Sequence, residues 1–175
     1  MKRGLFPGIK HSGNPFMPGE RLMFRSLLVP IDGSTYARHA LRVACELAAS
    51  SEATLYLLNV RELLPHLHDG RIRSVEEALQ AAAPEAVEEA GQAVLERSLS
   101  EVPDFPGEIR PLVRRGSPAH VILHEAEALG VDAIVMGSRG LSDLTGMAIG
   151  SVSHRVSHTA RCMVISVHAP AEETA

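Results

Sequence analysis

The sequence predicts a single doubly wound α/β domain, in which a five-stranded parallel sheet carries helices on both faces. Short unbroken apolar runs recur along the chain, as in strands buried on both sides, and longer stretches with apolar residues at helical spacing lie between them. Strand and helix patterns alternate from one end of the body to the other, the order that calls for parallel strands joined by helical crossovers. The length of 175 residues fits one domain able to bury roughly 70% of its unfolded surface, with no need of a disulfide or metal staple.

Residues 1–24 hold four glycines and three prolines without periodicity and read as a flexible extension, with Met23, a candidate internal start, directly before the first strand. The domain proper is expected over 25–170, with a short tail at 171–175. Ser26–Ile31 is the first apolar run and ends at Asp32-Gly33-Ser34. A helix follows on Ala37, Ala40, Leu41, Ala44, Leu47 and Ala48, and Thr54–Val60 is the second strand. Residues 61–83 are the least regular part of the body and predict a variable connection with one or two helical turns. Pro84 then opens a helix to about Leu99, with Val87, Ala90, Val94 and Leu95 as its inner stripe. In the third strand, Ile109–Arg114, Pro111 points to a sheet edge because proline cannot donate to a ladder. Ser117 and Pro118 start the next helix, with Ala119, Ile122, Leu123, Ala126 and Leu129 inward and Gly130 as C-cap. Asp132–Met136 is the fourth strand. A glycine-rich loop runs from Gly137 to Gly150, a last helix reaches about Thr159, and Met163–Val167 is the fifth strand.

Composition excludes several classes of function. Aromatic residues are 3% and tryptophan is absent, so the stacking platforms of single-strand binders are missing, and a net charge of −4 argues against a general polyanion binder. The only lysines are Lys2 and Lys10, which removes P-loop and Schiff-base chemistry from the body. No apolar run is long enough to span a membrane, and the start of the chain lacks a signal-peptide pattern. Cys45 and Cys162 lie far apart in apolar segments and read as small buried hydrophobes, which fits a reducing, cytoplasmic setting.

The informative segment begins at Gly137, follows a buried strand and leads into a helix, the place where open α/β sheets bind ligands. Its glycines allow main-chain amides to approach an anion, and Gly150-Ser151 opens a helix whose positive end favours phosphate. Ser151 and Ser153 add hydroxyl donors and Arg139 adds charge. A surface loop whose glycines only make turns is the simpler alternative. The spacing is not the dinucleotide Gly-x-Gly-x-x-Gly pattern.

On these residues the sequence resembles the universal stress proteins, whose nucleotide-binding members share a Gly-x2-Gly-x9-Gly-Ser/Thr pattern matched here by Gly137, Gly140, Gly150 and Ser151. Val29-Pro30-Ile31-Asp32-Gly33-Ser34 is similar to that family's first strand and turn, and Leu57-Leu58-Asn59-Val60 to the end of its second strand. The resemblance spans about residues 25–168. It implies a Rossmann-like fold of the adenine nucleotide alpha hydrolase type that binds ATP, with AMP or ADP as alternatives and Mg2+ or Mn2+ carried by the nucleotide. It further implies that Asp32 contacts the nucleoside while Pro30 and Ile31 line its pocket, and that the Val60 main chain reads the adenine edge. Met136, Gly137, Ser138, Arg139 and Gly140, with Gly150, Ser151 and Val152, would hold ribose and phosphates, and Ser153 would lie near the terminal phosphate. A homodimer through Met163–Val167 and a regulatory protein partner are implied as well.

Asp32 also suits a turn-former near Ser34, its carboxylate capping the following helix. Nine histidines invite a metal. His120/His124 and His154/His158 are i,i+4 pairs without the glutamate of a zinc protease, so surface positions are the simpler reading, with His66/His68 as the pair most open to an adventitious ion. Arg114-Arg115 is either a solvated strand end or a contact for phosphate or an acidic partner. No nucleophile elbow occurs and no catalytic base is assigned, so the sequence predicts an ATP-binding regulatory protein with at most slow hydrolysis. An adenine-nucleotide hydrolase or transferase, and a nucleotide-free interaction module, are the alternatives.

Overall fold

The computed structural model describes residues 24–49, 51, 53–62, 83–101, 105–140 and 150–168. The expected extension up to residue 23, most of the variable connection, the segment 141–149 of the glycine loop and the C-terminal tail lie outside the described residues. Phe24, at the end of that extension, is buried in the core.

The strands are β1 (Ser26–Pro30), β2 (Thr54–Arg61), β3 (Ile109–Arg115), β4 (Ala133–Gly137) and β5 (Met163–Val167). The helices among the described residues are α1 (Thr35–Ala48), α2 (Pro84–Leu99), α3 (Pro118–Leu129) and α4 (Ser151–Thr159). All neighbouring strands pair in parallel, in the order β3-β2-β1-β4-β5. Pro111 lies on the edge strand β3, as its missing N–H requires. Among the described residues no helix is long and apolar enough to cross a membrane.

Side chains alternate across the sheet and build two cores. Leu27, Val29, Leu55, Leu57, Ala133 and Val135 face α1 and Leu95 of α2. Leu28, Leu58, Ile134 and Met136 face Ala119, Ile122 and Ala126 of α3 and Val156 of α4. α1 lies close because its inner face is mostly alanine, with Ala37, Ala40, Ala44 and Ala48 all buried. Its start is fixed by Ser34, whose hydroxyl accepts the Ala37 N–H at 3.1 Å.

Three helices differ from the expected faces, α1 only in that Leu47 is half-buried. α2 buries Val87, Gly91, Leu95 and Ser98, whereas Ala90 and Val94 are half-buried. A side chain on Gly91 would come within 2.5 Å of Val113, so the helix turns its small residues toward the sheet and lies closer than the apolar spacing implied. In α3, Leu123 and Leu129 are half-buried and Glu125 takes a buried place, ion-paired to Arg114 at 2.9 Å. That pair settles the fate of Arg114, which is bound across to α3 and is not simply a solvated strand end. Ser117 holds the N-cap position with extended backbone but makes no side-chain cap bond, and Gly130 closes α3 in the left-handed conformation (φ 60°) as expected.

Candidate functional site

From β1 the chain passes through α1 to β2 on one side, and from β4 through α4 to β5 on the other. The two connections diverge above the carboxyl ends of β1 and β4, leaving the crevice where open α/β sheets take ligands. A cavity of about 470 Å3 occupies it. Pro30, Ile31 and Asp32 line it from β1, Val60 from β2, Met136, Gly137, Arg139 and Gly140 from β4 and the residues after it, and Gly150, Ser151, Val152 and Ser153 from the start of α4. These expected site residues are thus brought together from four separated segments.

Ser138 is placed differently. It is fully buried beneath the cleft, its N–H donating to the Val167 carbonyl at 2.8 Å and its own carbonyl accepting the Gly150 N–H at 2.7 Å. It therefore ties the two ends of the glycine segment to each other and to β5. Its hydroxyl has no hydrogen-bond partner among the described residues.

The Gly150 N–H is thus already bonded, and Gly150 has no side chain with which to cap α4. The N–H groups of Ser151, Val152 and Ser153 begin the helix without intrahelical partners, and they carry the positive end of the helix at the cleft wall. The Ser153 hydroxyl lies 3.3 Å from that of Ser166 on β5. Arg139 is held against α1, its Nη1 3.4 Å from the Tyr36 hydroxyl and its guanidinium carbon 5.8 Å from the ring centre. Tyr36 in turn presses on Gly137, where a side chain would come within 2.7 Å of the tyrosine Cβ.

Asp32 accepts the Ser34 N–H through Oδ1 at 2.9 Å, the turn-forming role, but the cap of α1 expected of its carboxylate falls to Ser34. Gly140 approaches so closely that a Cβ there would stand 2.7 Å from Asp32 Oδ2. The carboxylate both shapes the turn and faces the glycine segment across the cleft.

The end of β2 is the remaining wall. The β1–β2 ladder closes with the Ile31 N–H donating to the Leu58 carbonyl at 2.8 Å. In a parallel ladder the next bond would join the Val60 N–H to the Ile31 carbonyl. That carbonyl instead accepts Asn59 Nδ2 at 2.7 Å. The Val60 N–H and C=O keep the orientation of Leu58 and face the cleft beyond the end of β1.

Ala37, Leu58, Asn59, Arg61, Glu62, Pro118 and Ile122 also line the cavity and were not anticipated there. Leu58, Asn59, Pro118 and Ile122 stood in recognised elements, yet only the strand order reveals which ends meet.

His120, His124, His154 and His158 are exposed, the last two with ring centres 4.3 Å apart. His66 and His68 lie outside the described residues. Among the described residues no three His, Cys, Asp or Glu side chains gather in a metal-holding group. Burial pushes the Cys45 and Cys162 thiols above their ordinary pKa.

The family model described as the universal stress protein family matches residues 23–168. The universal stress protein YxiE of Bacillus subtilis is 36% identical over 148 residues, covering 83% of this chain and 99% of that relative. The solved structure of protein MJ0577 superposes with a TM-score of 0.69 at 28% identity, covering 86% of this chain and 99% of that one. MJ0577 is a universal stress protein of Methanocaldococcus jannaschii. A universal stress protein family protein from Arabidopsis thaliana, solved with AMP bound, shares the fold at a TM-score of 0.56 and 22% identity, covering 86% of this chain and 95% of that one.

Proposed function

The chain belongs to the universal stress protein family, and from that premise and the geometry of the cleft we propose that it binds ATP at the carboxyl rim of its sheet. The observation that carries the proposal is the first turn of α4, whose leading N–H groups have no partner within the helix. Its N–H groups lie at the wall of a cavity whose opposite side, Val60, presents a main-chain donor and acceptor. Ribose and phosphates would lie between Asp32, the Gly137–Gly140 segment and Ser151–Ser153, with Arg139 adding charge. The adenine edge, an amino donor beside a ring-nitrogen acceptor, complements the Val60 N–H and C=O.

The residues fit such a ligand. The cavity is within the roughly 300–1000 Å3 range of small-molecule sites, and Gly137 and Gly140 stand where side chains would collide. The AMP-bound plant relative supports the ligand class. Mg2+ or Mn2+ would be held mainly by the phosphates, since the described residues supply no ligand cluster of their own.

The role we propose is regulatory. Nucleotide would grip both ends of the glycine segment and so change the surface offered to a protein partner or to a second copy meeting at β5, where Met163 is 46% exposed. Hydrolysis would be slow, because one Asp32 oxygen is committed to the turn.

Calorimetry with ATP and magnesium on the wild type and Gly140→Glu tests this. The added side chain starts against Asp32 and brings a further negative charge into the cleft. A loss of at least about tenfold in affinity, roughly 1.4 kcal/mol, is expected with the fold retained. Equal affinities would remove the glycine segment from the account.

A further inference from the structure

We infer that Asn59 is a positioning residue: by taking the Ile31 carbonyl, it withholds that acceptor from the Val60 N–H and leaves the Val60 main chain free to read a nucleobase. The inference deepens the proposed function and rests on the cleft being a nucleotide site.

The alternation along β2 is plain from its bonds. Thr54 N–H donates to Arg25 on the β1 side, Leu55 N–H to Glu108 on the β3 side, and the Leu58 carbonyl accepts Ile31 from β1. Val60 has the parity of Leu58 and must turn its N–H and C=O to the β1 side. β1 has the residue needed to continue the ladder, because Ile31 is still in register and still donates. What stops the ladder is a side chain, Asn59 Nδ2, at 2.7 Å from the Ile31 oxygen.

The orientation of the amide is not arbitrary. A carbonyl only accepts, so the nitrogen must face Ile31 and the oxygen must face away. That oxygen is buried and has no donor among the described residues, lying 3.2 Å from where a Cβ on Gly91 would stand. A buried acceptor without a donor destabilises the fold, and an aliphatic residue at this position would avoid it. Capping a strand end does not account for that penalty, since the Val60 N–H could cap the same carbonyl without it. Keeping the Val60 donor available does account for it.

Two measurements follow. In the wild type without nucleotide, the Val60 amide should exchange its hydrogen far faster than that of Leu58, and saturating ATP should slow it. In Asn59→Leu, the Val60 amide should become protected without nucleotide, as the ladder gains its missing bond. ATP should then lose much of its advantage over ITP, whose ring nitrogen carries a hydrogen where that of adenine accepts the Val60 N–H. A wild-type preference of about tenfold, the worth of one well-made hydrogen bond, should fall below about threefold.

A Val60 amide already protected in the nucleotide-free wild type overturns the inference, and this decides the matter even if Asn59→Leu fails to fold. Unchanged Val60 exchange and an unchanged ATP/ITP ratio in a folded Asn59→Leu overturn it too. If ATP fails to bind the wild type while Val60 still exchanges fast and Asn59→Leu protects it, the nucleotide reading falls and the positioning effect stands.

Discussion

The Cβ and main chain of Tyr36 occupy the space that a side chain on Gly137 would need, and the ring of the same residue carries the Arg139 guanidinium at the cleft. Gly137→Ala should therefore act twice. Overpacking against the tyrosine is expected to destabilise the fold by about 1–3 kcal/mol in urea titration. The shifted ring should also misplace Arg139, and ATP affinity should fall more than the AMP affinity because the outer phosphates lose a cation. Losses equal for the two nucleotides would mean that Arg139 does not serve those phosphates. Gly137, Gly140, Gly150 and Ser151 were legible in the sequence because a missing side chain at fixed spacing is itself a signal. Asn59 was not. An asparagine inside Leu57-Leu58-Asn59-Val60 has no visible task until the sheet sets Ile31 beside it. Ser138 stood inside the glycine segment, yet only its bonds to Val167 and Gly150 reveal a tether under the cleft.

At the scale of the elements, two glycines separate packing from backbone strain. Gly130 closes α3 at φ 60° with nothing within 4 Å of where a Cβ would stand, so Gly130→Ala should cost about 1 kcal/mol from conformation alone. Gly91 sits mid-helix against Val113 with no positive φ, so Gly91→Ala should gain helix propensity yet lose more through collision, a net destabilisation of about 1–3 kcal/mol. Urea denaturation of the two variants checks this, and a stabilised Gly91→Ala would show that α2 can move off the sheet freely. Existence and type were readable for every described helix because the apolar spacing is regular. The rotation of α2 was not, since its apolar and small residues form adjacent stripes and only the contact with Val113 chooses between them. In α3 the buried Glu125 escaped notice for a related reason: its partner Arg114 lies on a strand eleven residues earlier, and nothing local marks the two as a pair.

For the whole molecule, strand–helix alternation was enough to predict a parallel sheet covered on both faces, and Pro111 marked one edge. The position of β1 between β2 and β4 is a tertiary outcome, and it creates the crevice by sending α1 and α4 apart. Asp32, Val60, Gly140 and Ser151 become neighbours through that order alone. The central claim is that main-chain N–H groups at this rim hold an adenine nucleotide. It is tested most directly by following backbone amide resonances of the nitrogen-15-labelled full chain as ATP and magnesium are added. The largest shifts should fall on Val60, Gly137, Gly140 and Ser151–Ser153, with the β3 edge at Ile109–Arg115 unmoved. Saturating ATP that leaves those amides in place, or moves a different surface instead, contradicts it.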